Sequence, residues 1–357
     1  MSQPQQIMSS QGRFTRLFCI CAVVLLAACA PRPTAQLAAP SPNATQYPVY
    51  VVTERELDQI GPSFGEPRNQ GLRYFRAMVS VPPTHTVGQV EWPDPNRPAN
   101  AETDFVMTDM HVFDERARFL QQVKQDRPGR ETLLFVHGYN NTLSEATFRL
   151  AQMKADFDVK TPSVLFSWPS AGDPRGYVYD RDSILFARND LETLIKQLAP
   201  NRNDKVFVLA HSMGSLLVME AMRQAVIRGD RWMLDRLSGV AMMSPDMEPD
   251  LFRKQAETIG ALPQPFLLFV SQEDRALGLA SLISGSKPRL GVIDSPDAVE
   301  GLDVTVVDVT ALGDDEGFNH AVAATSPFAI PVLREFISDI NNGQRPSRQY
   351  VVLGGGS

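Results

Sequence analysis

Residues 205–222 read KVFVLAHSMGSLLVMEAM. A β-forming apolar run stops at a bend of small residues, and a helical pattern begins directly after it. Ser212 occupies the bend, with Ala210 and Gly214 two positions to either side. This is the G-x-S-x-G elbow with alanine in its first place, a strand-to-helix turn so tight that only small residues fit around a strained serine. Such a turn lifts the hydroxyl above the carboxyl edge of a sheet. It also sets the next N–H, that of Met213, at the positive end of a helix. The chemistry implied is attack on an acyl carbon; the plainer alternative is a helix-capping serine.

A serine hydroxyl needs a base, and the chain has five histidines. His85 and His111 fall in the N-terminal strand region, His137 sits in FVHGYN, and His211 precedes the serine with its side chain expected to point away from it. Only His320, in GDDEGFNHA, follows Ser212, as the chain order serine, acid, histidine of an elbow-based triad demands. The acid must orient that imidazole. Asp274, ending FLLFVSQED, is favoured; Asp246, in SPD at the end of the preceding strand, is the rival, and Asp314 and Asp315 are weaker choices. An oxyanion needs two donors. HGYN after TLLFV supplies a second one: Gly138 lets the backbone approach, and the Tyr139 N–H joins that of Met213, with His137 bracing the loop.

Competing chemistries lack their residues. Neither strand–helix turn is followed by the Gly-Lys-Ser/Thr of a phosphate loop, and no H-x-x-x-H or paired-cysteine spacing occurs. No metal or cofactor is therefore expected. The formal charge of −7 argues against a nucleic-acid partner, which calls for basic faces.

The elements that must hold these residues follow from the apolar patterning. At 357 residues the chain can bury one large core. Strands are expected at 49–56, 73–81 and 104–113, with a helix at 114–125. Strands and helices then alternate: TLLFVHGYN before a helix at 143–157, SVLFSWPS before one at 181–198, and KVFVLAHS before one at 213–228. LSGVAMMSPD precedes a short helix at 249–258; FLLFVSQED, DVTVVDVT and a last helix at 327–340 follow. Near-continuous apolar strands belong to a mostly parallel sheet covered on both faces by helices, here with an antiparallel N-terminal edge.

The N-terminus has a different composition. Arg13 and Arg16 precede LFCICAVVLLAA, which is too short to span a bilayer and has the shape of a secretory signal. It ends LLAAC, which resembles the lipobox of bacterial lipoproteins and implies that Cys29 is lipidated. All three cysteines lie in or at the end of this leader, and loss of its two arginines takes the formal charge from −7 to −9. Ala30 stands where an Asp would signal inner-membrane retention, which by the same resemblance implies the outer membrane. The expected organisation is a leader at 1–28, a Pro/Ala-rich tether at 29–48, one α/β-hydrolase domain at 49–342 and a flexible tail at 343–357.

FVHGYNNT, VLFSWPS, YVYDRDS, AHSMG, SPD and DRAL, in this order, resemble the bacterial α/β-hydrolases of the DUF900 family over roughly residues 130–325. FSWPS and YDRDS are the most specific pieces. Where relatives often read GHS, this chain has NHA at 319–321. The resemblance implies the fold and a Ser-Asp-His triad, with members commonly described as predicted esterases or lipases.

About twenty residues separate Asp246 from the next strand, too few for a large cap, so residues 167–183 and 284–301 must form the access surface. Trp168, Pro169, Tyr177 and Tyr179 could wall an acyl or aryl group, or equally pack the loop onto the sheet. Arg175 and Arg181 are read as partners of nearby aspartates more readily than as an anion site. The expectation is a lipid-anchored serine hydrolase of carboxylic esters, acyl-lipids included. The alternative is an inactive envelope binding or assembly protein on the same fold.

Overall fold

Runs such as FLLFV and SVLFS are buried at every position, which requires helices on both faces of the sheet. The computed structural model describes residues 32–57, 64–285, 287–313, 319–341 and 349–354. The chain divides into a short unit, Met1–Thr34, and a large one, Ala35–Ser357, which holds every element named here. The leader, Cys29, Asp314 and Asp315 lie outside the described residues.

Among the described residues ten strands form one sheet: β1 (Thr45–Leu57), β2 (Phe64–Val81), β3 (Val106–Phe113), β4 (Glu131–Val136), β5 (Ser163–Ser167), β6 (Lys205–His211), β7 (Leu237–Met243), β8 (Phe266–Val270), β9 (Thr305–Asp308) and β10 (Tyr350–Val352). Their order is β10-β9-β8-β7-β6-β4-β5-β1-β2-β3. β2 pairs antiparallel with β1 and β3, whereas β1 joins β5 in parallel and the ladder from β5 to β10 is parallel throughout. The sheet is thus mostly parallel, with its antiparallel pairs at the N-terminal edge.

The helices are α1 (Arg116–Gln125), α2 (Leu143–Asp156), α3 (Tyr177–Leu198), α4 (Met213–Ile227), α5 (Pro249–Ile259), α6 (Arg275–Ile283), α7 (Val322–Thr325) and α8 (Ala329–Asn341). Side-chain alternation splits the core into two layers. Leu134, Val136 and Val208 pack with Leu217 and Met222 of α4 on one face, while Phe135 and Leu165 pack with Phe148 and Leu150 of α2 on the other. Each such side chain, fully buried, contributes about 1.5–3 kcal/mol. α2 starts at a capping box in which Thr142 and Glu145 satisfy each other's backbone N–H.

Several boundaries depart from expectation, and the largest shift among the strands is that of β2, which begins at Phe64, nine residues before the expected 73. α3 begins at Tyr177, four residues early, with Gly176 as its N-cap and no side-chain cap. Within the expected tether, the Met107 N–H donates to the Gln36 carbonyl at 2.9 Å and the Ala38 N–H to the Met107 carbonyl at 3.0 Å. That part therefore lies against β3, and β1 starts at Thr45. The expected tail contains β10, whose β-forming Tyr350, Val351 and Val352 pair with β9. The Tyr350 hydroxyl fixes it by donating to Asp308 at 2.7 Å.

Candidate active site

β6 ends at His211 and α4 starts at Met213, so one residue makes the whole turn. That residue, Ser212, has φ 52° and ψ −124°, a conformation that costs a non-glycine residue about 1–3 kcal/mol. Neighbours hold it there. The Ser212 N–H donates to the Met243 carbonyl at 2.9 Å, and the Ser215 N–H returns to the Ser212 carbonyl at 3.0 Å. Space is equally limiting. A Cβ on Gly214 would stand 2.4 Å from the His137 carbonyl oxygen, and one on Gly138 would stand 2.8 Å from the Cβ of Ser212. Ala210 is fully buried on the same strand. The two glycines thus let the α4 start and the β4–α2 loop close on the serine.

His320 is fixed from two directions. Its Nδ1 lies 2.8 Å from Oδ2 of Asp274, whose side chain is fully buried. The other carboxylate oxygen, Oδ1, accepts from the Leu277 N–H at 2.9 Å, so Asp274 is at once N-cap of α6 and partner of the imidazole. Behind the ring, Nε2 of His211 donates to the His320 carbonyl at 3.1 Å, and the two rings lie 4.8 Å apart. Burial, with the His320 charge second, pushes His211 down to about 3, so it stays a neutral donor. The residue expected to point away from the chemistry therefore ties the His320 loop to the strand that ends at the serine. Asn319, just before, adopts φ 53°, where an asparagine is tolerated better than most residues.

Asp246, the rival acid, faces elsewhere. It is paired with Arg289, Oδ1 to Nε at 3.2 Å, and accepts from the Tyr177 hydroxyl at 3.1 Å. Burial pushes its carboxyl up, against the opposing pull of the Arg289 charge.

The loop carrying Gly138 and Tyr139 is held by contacts of His137. The His137 ring stacks on Trp168 at 4.9 Å, Nδ1 lies 2.8 Å from the Gly138 carbonyl, and the Trp168 indole donates to the His137 carbonyl at 2.8 Å. Burial, reinforced by the Arg55 charge, lowers His137 to about 3 and keeps the ring neutral near pH 7. Two further residues hold this loop. Arg55 of β1 is buried and donates to the carbonyls of Asn141 and Ser170 at 2.8 and 2.9 Å. Asp180 of α3 accepts from the Asn140 N–H at 3.1 Å, the Ala171 N–H at 2.7 Å and the Ser170 hydroxyl at 2.5 Å. Burial nevertheless raises its carboxyl. Together they join the HGYN and SWPS segments, and Asp180 is the residue through which YDRDS acts. A lone arginine in a strand gives no local signal of such a role.

The aromatic group divides. Trp168 and Pro169 are buried, and Tyr177 almost so; they pack the loop onto the sheet. Tyr179 is partly exposed beneath the Arg68 guanidinium, 4.2 Å from its ring centre. Arg175 pairs with Asp173, as the aspartate-partner reading has it.

A doubly covered parallel sheet with a strained serine between strand and helix defines an α/β-hydrolase. More particularly, the model of a family described as "Alpha/beta hydrolase of unknown function (DUF900)" matches residues 112–335, over half of the chain, and the protein belongs to that family. No curated protein matches it. Among solved structures it is similar to the carboxylesterase EstE1 from a metagenomic library, at 12% identity and TM-score 0.35, covering 96% of this chain and 100% of that one. It is similar also to an esterase of the archaeon Pyrobaculum calidifontis, at 11% identity and TM-score 0.37, covering 96% and 93%. A dienelactone hydrolase of Anabaena variabilis matches at 13% identity and TM-score 0.38, covering 83% and 96%. At these values the family assignment rests on the family model and the topology.

Proposed function

We propose that the protein is a serine hydrolase of carboxylic esters. Ser212 is the nucleophile, His320 the general base and then acid, Asp274 the orienting acid, and the N–H groups of Met213 and Tyr139 the oxyanion donors. The observation that carries this reading is the contact of His320 Nδ1 with the buried Asp274 at 2.8 Å, in a loop bonded to His211, the residue before the serine.

In the first half-reaction the Ser212 Oγ–acyl bond forms as the hydroxyl proton passes to His320 Nε2. The oxyanion collapses, the ester C–O bond breaks, and the alkoxide leaves with that proton. Water, deprotonated by the same nitrogen, then releases the acid and restores the serine. Both oxygens of Asp274 are engaged, which favours the tautomer with the proton on Nδ1 and leaves Nε2 basic.

The substrate class we favour is acyl-lipid or another envelope ester. α6, whose N-cap is Asp274, turns Leu279, Leu282 and Ile283 outward at 56, 69 and 54% exposure, an apolar rim suited to an acyl phase. Anchoring through a lipidated Cys29 at the outer membrane fits the same substrate.

The test is labelling of the full chain with a fluorophosphonate probe beside turnover of p-nitrophenyl esters of rising acyl length. Ser212→Ala is expected to abolish both. Labelling and turnover that persist in the variant would remove Ser212 as the nucleophile, and a wild type that neither labels nor turns over would leave the inactive binding protein as the better reading.

A further inference from the structure

Beside the site lies a cluster of charged groups that the ester chemistry leaves without a role. The side chains of Arg289 and Asp246 are 1 and 2% exposed and paired at 3.2 Å. Tyr177 completes the cluster: its hydroxyl donates to Asp246 Oδ2 at 3.1 Å and accepts from Arg289 Nη2 at 3.3 Å. The same Nη2 donates to the Ala280 carbonyl at 3.3 Å and to the Ser284 hydroxyl, so the guanidinium caps the C-terminal end of α6. The segment that delivers Arg289 is pinned on both sides. The N–H groups of Leu290 and Gly291 donate to the carbonyls of Met247 and Pro245 at 2.8 and 3.0 Å, and the Gly291 carbonyl accepts from the Ser271 N–H at 2.9 Å.

A buried ion pair is weak evidence for stability, since apolar groups of similar volume often serve as well. What distinguishes this one is the two elements it connects. One is α6, whose first turn begins at Asp274, the partner of His320. The other is the loop of Tyr139, because the Tyr177 ring packs edge-on against the Tyr139 ring at 5.3 Å and 72°. One cation therefore bears on both the acid's helix and the oxyanion loop.

We infer that Arg289 is a positioning residue of this site: through Ala280 and Tyr177 it holds the helix that carries Asp274 and the loop that carries the Tyr139 N–H at a fixed separation. The inference rests on the serine-hydrolase reading. Arg289 touches no reacting atom, and its effect falls on kcat. An oxyanion donor and an imidazole both act only within a few tenths of an ångström of their working positions, and a displacement of about 1 Å costs on the order of 100-fold.

The test compares the full-length wild type with three variants, using kcat and KM for p-nitrophenyl butyrate and the rate of fluorophosphonate labelling. Asp246→Leu/Arg289→Met replaces the pair by apolar groups, so neither charge is stranded. It is expected to keep a cooperative melt while kcat and labelling rate fall at least about tenfold and KM stays within about twofold. Arg289→Lys keeps the charge beside Asp246 but cannot span Ala280, Ser284 and Tyr177 together, so it is expected between the two. Tyr177→Phe deletes one hydroxyl and decides the matter if the double variant does not fold; a fall of about threefold or more in kcat is expected. A folded double variant, or in its absence Tyr177→Phe, with wild-type kcat and labelling rate overturns the inference. If instead Ser212→Ala keeps full activity, the underlying hydrolase reading has failed and not this refinement of it.

Discussion

Among the described residues two histidines sit against buried carboxylates, and their surroundings leave their ring nitrogens differently engaged. His85, in the segment between β2 and β3, has Nδ1 2.9 Å from Glu91 and Nε2 3.0 Å from Asp156. Both ring nitrogens are spent on fixed partners, and Asp156 also takes the Gly88 N–H at 2.7 Å, so the group clamps that segment onto α2. His320 offers Nδ1 to a single carboxylate, and among the described residues its Nε2 has no hydrogen-bond partner. The lesson is one of valence. An imidazole can serve as a base when one nitrogen is held and the other is left to take a proton. Held at both, it is a crosslink.

The contrast is most directly broken by kinetics. His320→Gln is expected to lower kcat/KM for an ester by about 10³–10⁴, whereas His85→Gln should stay within about threefold of wild type. Comparable losses in the two would erase the distinction. Gly138→Ala probes the same region less severely. Its added methyl would meet Ser212 Cβ at 2.8 Å and His211 Nδ1 at 2.9 Å. A fall in kcat of about 10–100-fold is expected in a protein that still melts cooperatively, and unchanged kcat would mean that the loop yields freely.

The smallest effect sharpens the other side of the comparison. Burial alone would lower His85, but its bonds to Asp156 and Glu91 outweigh that and raise it above its ordinary 6.5. A raised folded value stabilises fully below the unfolded value and loses that stabilisation as pH rises through the folded one. Asp156 behaves inversely: burial opposes ionisation, but its bonds to His85 and Gln152 lower it, and its share is lost as pH falls through that depressed value. The stability gap between wild type and His85→Gln, of about 1 kcal/mol, should therefore be widest between the acid range and about pH 6.5 and narrow toward alkaline pH. Urea unfolding across that range measures it; a gap that grows with pH would contradict the clamp.

Much of the fold was legible because the parallel strands are short apolar runs punctuated by turns, a pattern that local sequence carries. The elbow was legible for the same reason: strand, small residues and helix are contiguous in it. His320 was reached through chain order and Asp274 through its station at the end of β8, and the structure sets these two side chains together while turning Asp246 toward Arg289. What stayed hidden was long-range and polar. Arg55 reaches carbonyls in two loops far along the chain, Asp180 gathers donors from the same two, and His211 holds the loop of His320. None of these contacts leaves a periodicity, since a hydrogen bond across the fold constrains one side chain and not its neighbours. β10 was missed because three residues are too few to distinguish a strand from a terminal extension.

That last strand has a bearing on how the molecule behaves in a crowded compartment. An uncovered parallel edge is a template on which another chain can add itself. With Tyr350–Val352 laid along β9, the sheet ends in a strip of three residues, too short to recruit a neighbour strongly. Shortening the C-terminus would bare Thr305–Asp308 and is expected to harm solubility before it harms chemistry.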